Sequence, residues 1–332
     1  MLRHWCWQLL ATFLLVKAFV AAYWRLGFRL KNDLDLPIGI TLSETEKRRM
    51  RHYFLGATYL QVIFCSLLGH RLTRREHNLF SNLSALAAFF DDLVDGQREQ
   101  VVRSSNYAIF GQMADKRGVA QGLLDNIQQQ LPTENLLAFQ AYLERVFAIE
   151  KLGQNNADNH LTFNLLEKIT AEKGGSAVLL FRALLEPLPD LEEQQALQEF
   201  GCLLQLSDDI FDVWFDQAAG LATLATKLVE SGRLGDLNQL FEQQRETTIQ
   251  AFQKMEVSKW RLALAHRLVH TLTAITRTCL QHYQQAEIIH GQSYWNNRTL
   301  MVVDMEMWRN RLRAGRVMFF SETEFSSKIE TF

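Results

Sequence analysis

The sequence predicts an all-α protein built as one helical domain. The chain has 332 residues, of which 48% are hydrophobic and 22% charged, so it has enough length and apolar content for a sizeable core. Only four prolines occur, and none follows Pro189. A sheet protein, whose turns need proline and glycine, would rarely tolerate so long a proline-free stretch. No repeat, low-complexity tract or Gly/Ser linker divides the chain.

Helix boundaries follow from capping residues and glycines. Ser43, with Glu46 three residues on, forms a capping box that opens a helix running to about Gly69. The next helix ends near Gly96. The helices predicted after it cover about 105–131, Thr133 to Leu152, 160–186 with an interruption at Gly174 and Gly175, Asp190 to Phe215, 222–252, 257–288 and 293–314. We therefore expect an N-terminal helix in residues 1–41, a helical domain over 42–318 and a polar tail over 319–332.

The N-terminal stretch "RHWCWQLLATFLLVKAFVAAYWRLGFRLK" is apolar and aromatic. A basic start before an apolar run is also typical of a signal or membrane anchor. Lys17 splits the run, and the uninterrupted apolar part is too short to span a bilayer. Aromatic and basic residues flank it as they would on a helix lying at an interface. We expect a helix packed on the domain, with peripheral membrane contact or a signal or anchor as alternatives.

Charge and cysteine content indicate the class of partner and the compartment. The net charge is −2 with both signs interspersed, so no basic stripe indicates a nucleic-acid partner. The four cysteines are far apart and form no CxxC pair, which favours buried thiols in a reducing compartment. We expect a cytoplasmic protein, with membrane association and a homodimer as open alternatives.

The stretch "AAFFDDLVDG" places Asp91, Asp92 and Asp95 directly behind two phenylalanines. On a helix, positions i and i+4 are about 40° and 6 Å apart, so Asp91 and Asp95 face one way with Asp92 beside them. Like-charged neighbours destabilise a helix, and the negative end of the helix dipole adds to this repulsion. A compensating cation is therefore expected.

The same spacing returns in "GCLLQLSDDIFDVWFD", where Asp208, Asp209 and Asp212 are followed by Asp216 one turn later. A solvated acidic face is the alternative interpretation. Both motifs, however, have apolar residues on the preceding turns, which a solvated face would not. Two acidic helix faces turned toward each other predict a site for Mg²⁺, which prefers carboxylates, water and phosphate oxygens.

"FFDDLVD" and "QLSDDIFD" resemble the paired aspartate-rich motifs of the class I isoprenoid synthase superfamily, whose trans-prenyltransferases carry a similar second motif. The resemblance covers roughly residues 45–315 and is sharp only at the motifs. It implies an antiparallel helix bundle around a deep apolar cavity. It also implies three Mg²⁺ ions, replaceable by Mn²⁺, that hold a prenyl diphosphate on Asp91, Asp92, Asp95, Asp208, Asp209 and Asp212, with Asp91, Asp92, Asp208 and Asp209 essential for catalysis.

Candidate ligands for the diphosphate and the prenyl chain lie near the motifs. Lys173, before the glycine pair, is the first choice for a diphosphate ligand, with Lys168 and Gln205 grouped with it. The side chains expected to line the cavity and stabilise a carbocation are Phe89, Phe90, Phe211, Trp214 and Phe215, with ordinary core packing as the alternative. One and two turns before the first motif, the small Ser84, Ala87 and Ala88 predict room for chains of about twenty carbons or more.

Departures from the family's other patterns narrow the function. No Gly-Gly-Lys-x-x-Arg-Pro signature precedes Asp91, no D-x-x-E-D motif of squalene and phytoene synthases occurs, and the second motif is not the Asn/Asp-Ser/Thr-Glu triad of ordinary bacterial cyclases. The best match is a class IB terpene synthase that ionises a prenyl diphosphate and cyclises the cation. A prenyl diphosphate synthase, a squalene/phytoene-type synthase and a non-catalytic regulatory subunit stay as alternatives.

Overall fold

The computed structural model describes the backbone of residues 2–31, 44–102, 108–155, 161–305 and 307–319. These residues form thirteen α-helices and one 3₁₀ helix with no strand among them, which confirms the all-α prediction. The α-helices are α1 (Leu2–Lys31), α2 (Glu44–Leu68), α3 (Arg74–Val102), α4 (Ala108–Gln130), α5 (Thr133–Asn155), α6 (Phe163–Arg182), α7 (Leu191–Phe211), α8 (Val213–Ala218), α9 (Leu224–Glu230), α10 (Leu234–Lys254), α11 (Lys259–His290), α12 (Arg298–Met301) and α13 (Trp308–Phe319), and the 3₁₀ helix is Gly291–Asn296.

The contacts between residues divide the described chain into two compact units. The first unit comprises the described parts of Met1–Thr12, Gln140–Leu180 and Pro189–Phe332, and the second comprises Phe13–Phe139 and Phe181–Leu188. In the first unit, α7 packs against α9, α10 and α11, and the ring centroids of the buried Phe200 and Phe252 are 5.7 Å apart. In the second unit, Phe80 contacts Phe64 and Phe181 at centroid distances of 6.3 Å and 5.6 Å. The predicted boundaries at 41/42 and 318/319 stay predictions.

One predicted helix end is wrong, at the isolated Gly96. Helix α3 continues through Gly96 to Val102, so the first acidic motif does not lie at a helix end. A single glycine costs a helix interior only about 1 kcal/mol, which neighbouring turns readily offset. The predicted stop at Gly69 is confirmed, because α2 ends at Leu68 and Gly69 follows with φ 65°.

The predicted interruption at Gly174 and Gly175 is also wrong, because α6 runs through both glycines without a break. A methyl group on Gly174 would overlap the backbone of Gly201 on α7, and one on Gly201 would overlap the backbone of Gly174. The glycines therefore let two helices approach closely. Contacts of Gly175 with Gln198 and of Thr170 with Asp209 on either side of this crossing show that α6 and α7 run antiparallel.

Three later segments divide where one helix each was predicted. The segment from Asp190 to Phe215 forms α7 and the start of α8, separated at Asp212. The segment 222–252 forms α9 and α10, separated at Gly232, whose φ of 69° ends the first of them. The segment 293–314 forms the end of the 3₁₀ helix, then α12 and the start of α13. Apolar periodicity alone does not reveal these breaks, because both sides of each break place apolar residues in the core.

Helix α1 contains a longer apolar segment than the sequence interpretation allowed. Its segment Cys6–Arg25 is long enough and apolar enough to cross a membrane, and 22% of that segment is buried in the protein. The prediction that the apolar run is too short is therefore wrong, because Lys17 does not interrupt the helix.

The expectation of buried thiols holds for Cys279 but not for Cys6, which is exposed.

The close contact of α6 with α7 leads to a stability prediction. Gly201→Ala should lower the free energy of unfolding by about 1–3 kcal/mol or more, because its methyl group must push two helix backbones apart. Chemical unfolding followed by circular dichroism measures this change. Gly235→Ala is the matched control in the same unit, since a methyl group there meets no atom within 4 Å. Equal effects of the two substitutions would contradict the packing role of Gly201.

Candidate functional site

The second acidic motif lies at the end of a helix that the core of the first unit fixes in place. Asp190 caps α7 by accepting a hydrogen bond of 2.8 Å from the Glu193 amide. One face of α7 then buries its apolar side chains, namely Ala196, Leu197, Phe200, Leu203, Leu206 and Ile210. Asp208 and Asp209 occupy the last turn of this helix. Their position is therefore set by apolar packing along most of α7.

Two further aspartates follow without a loop. The Asp212 amide donates to the Asp208 carbonyl over 2.9 Å, and Asp212 separates α7 from the short helix α8. The Asp216 amide donates to the Asp212 carbonyl over 2.8 Å, and the Leu221 amide donates to the Asp216 carbonyl over 2.8 Å. Four carboxylates thus lie within nine residues of nearly continuous helix. The negative end of the α7 dipole adds to their repulsion.

Asp209 is the buried member of the group, with 6% of its surface exposed. Thr170 Oγ1 donates to one carboxylate oxygen over 3.2 Å, and Gln205 Nε2 donates to the other over 2.8 Å. Burial is the main cause that raises the pKa of Asp209 to about 6. The hydrogen bond from Gln205 lowers this pKa, and the charge of Asp208 raises it further. Gln205 holds this carboxylate in the structure, and its predicted role as a diphosphate ligand stays a prediction.

The other three carboxylates are more open. Asp208 is exposed, while Asp212 and Asp216 are half-buried. Although Asp208 reaches solvent, the protein atoms crowded around its carboxylate partly desolvate it. This effect and the charge of Asp212 raise the pKa of Asp208 to about 6. Burial, followed by the charges of Asp209, Asp212 and Asp208, raises the pKa of Asp216 to about 7. Burial and then Asp209 also raise the pKa of Asp212. The group holds more negative charge than its surroundings neutralise.

Lys173 is the cation next to this group. Its Nζ lies 2.7 Å from Glu150 Oε1 on α5, and 38% of its side chain is exposed. Burial opposes its charge, but Glu150, Asp209 and Asp208 outweigh that effect and hold the pKa of the ammonium above its ordinary value. Lys173 is therefore charged, and it is held by an ion pair that keeps it beside the aspartates.

The acidic group suits a hard cation in its chemistry, although it does not form a closed site. Its donors are carboxylate oxygens, which Mg²⁺ prefers, and Asp208 presents them to solvent. Among the described side chains, no three carboxylate, imidazole or thiol groups are placed to hold one ion. Mg²⁺ commonly takes only one or two carboxylates and completes its coordination with water and phosphate oxygens. The residues present fit that partial mode of binding.

The remaining predicted residues have different surroundings. Lys168 is exposed on α6, Phe211 and Trp214 are half-buried, and Phe215 is 49% exposed. In the second unit, Phe89, Ala88 and Ser84 are buried and Ala87 is half-buried, with Ser84 Oγ donating to the Phe80 carbonyl over 2.6 Å. The side chains of Phe90, Asp91, Asp92 and Asp95 lie outside the described residues. Their roles, and the apolar cavity, stay predictions.

Two residues of the site were not singled out from the sequence. Thr170 precedes Lys173 by one turn of α6, so a helical projection from Lys173 would have placed the two near each other. Glu150 lies on a different helix, and no sequence pattern connects it with Lys173. Only the packing of α5 against α6 pairs these two charges.

Comparisons of the chain with protein-family models, with curated proteins and with solved structures find no match. The resemblance in the two acidic motifs is therefore carried by the residues of the motifs themselves. Any function assigned to the site therefore depends on the chemistry of its residues.

The raised pKa of Asp216 leads to a prediction about pH. A carboxyl group whose native pKa of about 7 exceeds its unfolded value of about 4 binds more protons in the native state, so its contribution to stability falls as pH rises through that window. Asp216→Asn removes this titration. The variant should gain stability relative to the wild type at pH 8, and the gain should shrink at pH 5. Urea unfolding at both pH values without divalent cations measures it, and a gain independent of pH would contradict the prediction.

Proposed function

We propose that the protein is a Mg²⁺-dependent class I terpene synthase, of the class IB type. It ionises a prenyl diphosphate of about twenty carbons or more to an allylic carbocation, which cyclises to a terpene hydrocarbon or alcohol. The observation that carries the proposal is the crowding of Asp208, Asp209, Asp212 and Asp216 around the end of a buried helix, beside the charged Lys173. Such crowding opposes folding unless a cationic ligand uses it.

Asp208 and Asp212 are the residues that would hold Mg²⁺ in this unit, because their carboxylates are less buried than that of Asp209. An ion held there would supply positive charge to a diphosphate leaving group. Asp209, held by Thr170 and Gln205, fixes the end of α7 and contributes charge. The first motif enters the proposal on its sequence alone.

Lys173 supports the leaving group directly. Its ammonium has donors that the single contact with Glu150 does not use, and part of its side chain is open to solvent. A diphosphate oxygen accepting one of these hydrogen bonds would be stabilised as its negative charge grows. Glu150 limits how far Lys173 moves, so the cation is already in place when the substrate binds.

The carbocation step needs a dry environment with aromatic side chains. When the C–O bond breaks, its electron pair leaves with the diphosphate and an allylic cation remains. Attack by a double bond of the same chain closes a ring. The final cation then either loses a proton to give a hydrocarbon or accepts the oxygen of water, which loses a proton to solvent to give an alcohol. Phe211 and Trp214 are half-buried beside the acidic group, where their ring faces would stabilise positive charge.

The activity test compares variants of the second motif. The double substitution Asp208→Asn and Asp209→Asn should lower turnover at least about 100-fold, because it removes charge that the leaving group's metal requires. Diphosphate release and mass spectrometry of the extract, with geranyl to geranylgeranyl diphosphates and longer ones, measure the loss. Turnover should need Mg²⁺ or Mn²⁺ and proceed without isopentenyl diphosphate.

Asp236→Asn is the control for this test, since Asp236 forms only an exposed ion pair with Arg233 and should leave turnover unchanged. Thermal unfolding by circular dichroism checks that each variant is folded. Strict dependence on isopentenyl diphosphate would assign chain elongation instead. If the wild type releases diphosphate from none of these substrates, the proposed enzyme activity is rejected and a regulatory subunit is favoured.

Chain-length preference is expected to depend on the face of α3 that precedes the first motif. Ala87→Phe should shift the preference toward shorter prenyl diphosphates, because a phenyl ring fills space that the longer chain needs. Ala87 is the informative position, since it is half-buried, whereas a phenylalanine at the buried Ala88 would overpack the core. Competition assays with mixed substrates measure the preference, and Ala87→Ser is the size-matched control. An unchanged profile for Ala87→Phe would exclude this face from the prenyl pocket.

A further inference from the structure

Helix α1 carries an apolar surface that the described fold leaves uncovered. Five of its exposed side chains, here called the apolar stripe, are Phe13 (63% exposed), Val16 (54%), Val20 (53%), Tyr23 (63%) and Trp24 (75%). At 100° per residue these positions fall within an arc of about 100° on one side of the helix, over a length of about 16 Å. So regular an apolar arc on the outside of a protein marks a binding surface rather than scattered exposure.

From this surface we propose that α1 docks the protein on an anionic lipid membrane, with the helix lying in the plane of the interface and the apolar stripe inserted. The proposal concerns where the protein works and goes beyond the proposed reaction. The packing of the opposite side of α1 and the charge of the helix indicate a lipid surface as the partner.

The opposite side of α1 is tied to the protein, which favours lying on the membrane over crossing it. Ala11, Leu15 and Ala22 are buried and lie roughly opposite the apolar stripe on the helix. Gln8 is fully buried, and its Nε2 donates to Thr271 Oγ1 over 2.9 Å. A helix that crossed the bilayer would lose these contacts and would place the Gln8 amide in hydrocarbon, where it has no partner.

Charge identifies the kind of surface. Helix α1 contains no acidic residue, and its basic residues are Arg3, Lys17, Arg25, Arg29 and Lys31. Lys17 is exposed about 20° beyond the edge of the apolar stripe, so its methylene stem can follow the apolar surface while its ammonium stays among lipid phosphates. Arg25 is exposed at the C-terminal end of the stripe. Anionic lipids attract such a helix.

The same charges disfavour a second copy of the chain as the occupant. Pairing two α1 helices through their apolar stripes would bring basic residues of one helix against basic residues of the other, with no acid on either to compensate. Tyr23 and Trp24 also suit lipid, because their rings have an apolar body and a polar edge and concentrate at the headgroup level of membranes.

Vesicle binding by the full chain tests the proposal. The wild type should sediment with phosphatidylcholine vesicles that contain phosphatidylglycerol and much less with phosphatidylcholine alone. Phe13→Glu combined with Val20→Glu should lower the partition coefficient at least about tenfold, because two inserted apolar side chains become charged. Lys17→Glu should reduce the preference for phosphatidylglycerol more than it reduces binding to neutral vesicles.

Leu137→Glu combined with Leu191→Glu is the matched control, since it adds the same two charges at apolar positions that are 64% and 82% exposed. This variant should bind vesicles like the wild type, and thermal unfolding should be alike in all variants. Three results would overturn the proposal: no binding of the wild type to either vesicle, resistance of the bound protein to extraction by alkaline carbonate, as a spanning helix shows, or a wild-type dimer that Phe13→Glu with Val20→Glu converts to monomers without any vesicle binding.

Discussion

The close approach of α6 and α7 is the constraint on which the candidate site depends. Gly174 and Gly201 face each other with no room for a side chain, so the two backbones lie closer than helices with ordinary side chains allow. This contact brings Thr170 within 3.2 Å of the Asp209 carboxylate and places Lys173 on the helix next to the acidic group. A larger residue at either glycine would separate the helices and the groups they carry.

The electrostatics of the site follow from that geometry. Burial and then the charges of neighbouring aspartates raise the pKa values of Asp208 and Asp216, and Lys173 on α6, the cation close to them, is shared with Glu150. The described residues therefore concentrate mutually repelling charges at the end of α7. Apolar packing along the rest of α7 supplies the stability that keeps these charges together.

Helix α1 shows a different division of roles within one element. One side is buried, with Gln8 hydrogen-bonded to Thr271, while the other side exposes aromatic and aliphatic side chains. Both sides are apolar, so hydrophobic content alone does not separate a core helix, a spanning helix and a membrane-surface helix. Burial of one side of the helix distinguishes a membrane-surface helix from a spanning helix.

The amino-acid sequence was enough to predict the helical class, the two acidic motifs and most helix starts, because proline content, capping residues and the spacing of like charges act locally along the chain. It could not determine whether a glycine ends a helix or permits a crossing: Gly69 and Gly232 have positive φ and end helices, whereas Gly96 and Gly174 lie within them. Nor could it pair Lys173 with Glu150 or Thr170 with Asp209. These features depend on tertiary packing, because each is set by the backbone or charge that a distant helix brings alongside, and the local spacing of residues does not encode that proximity.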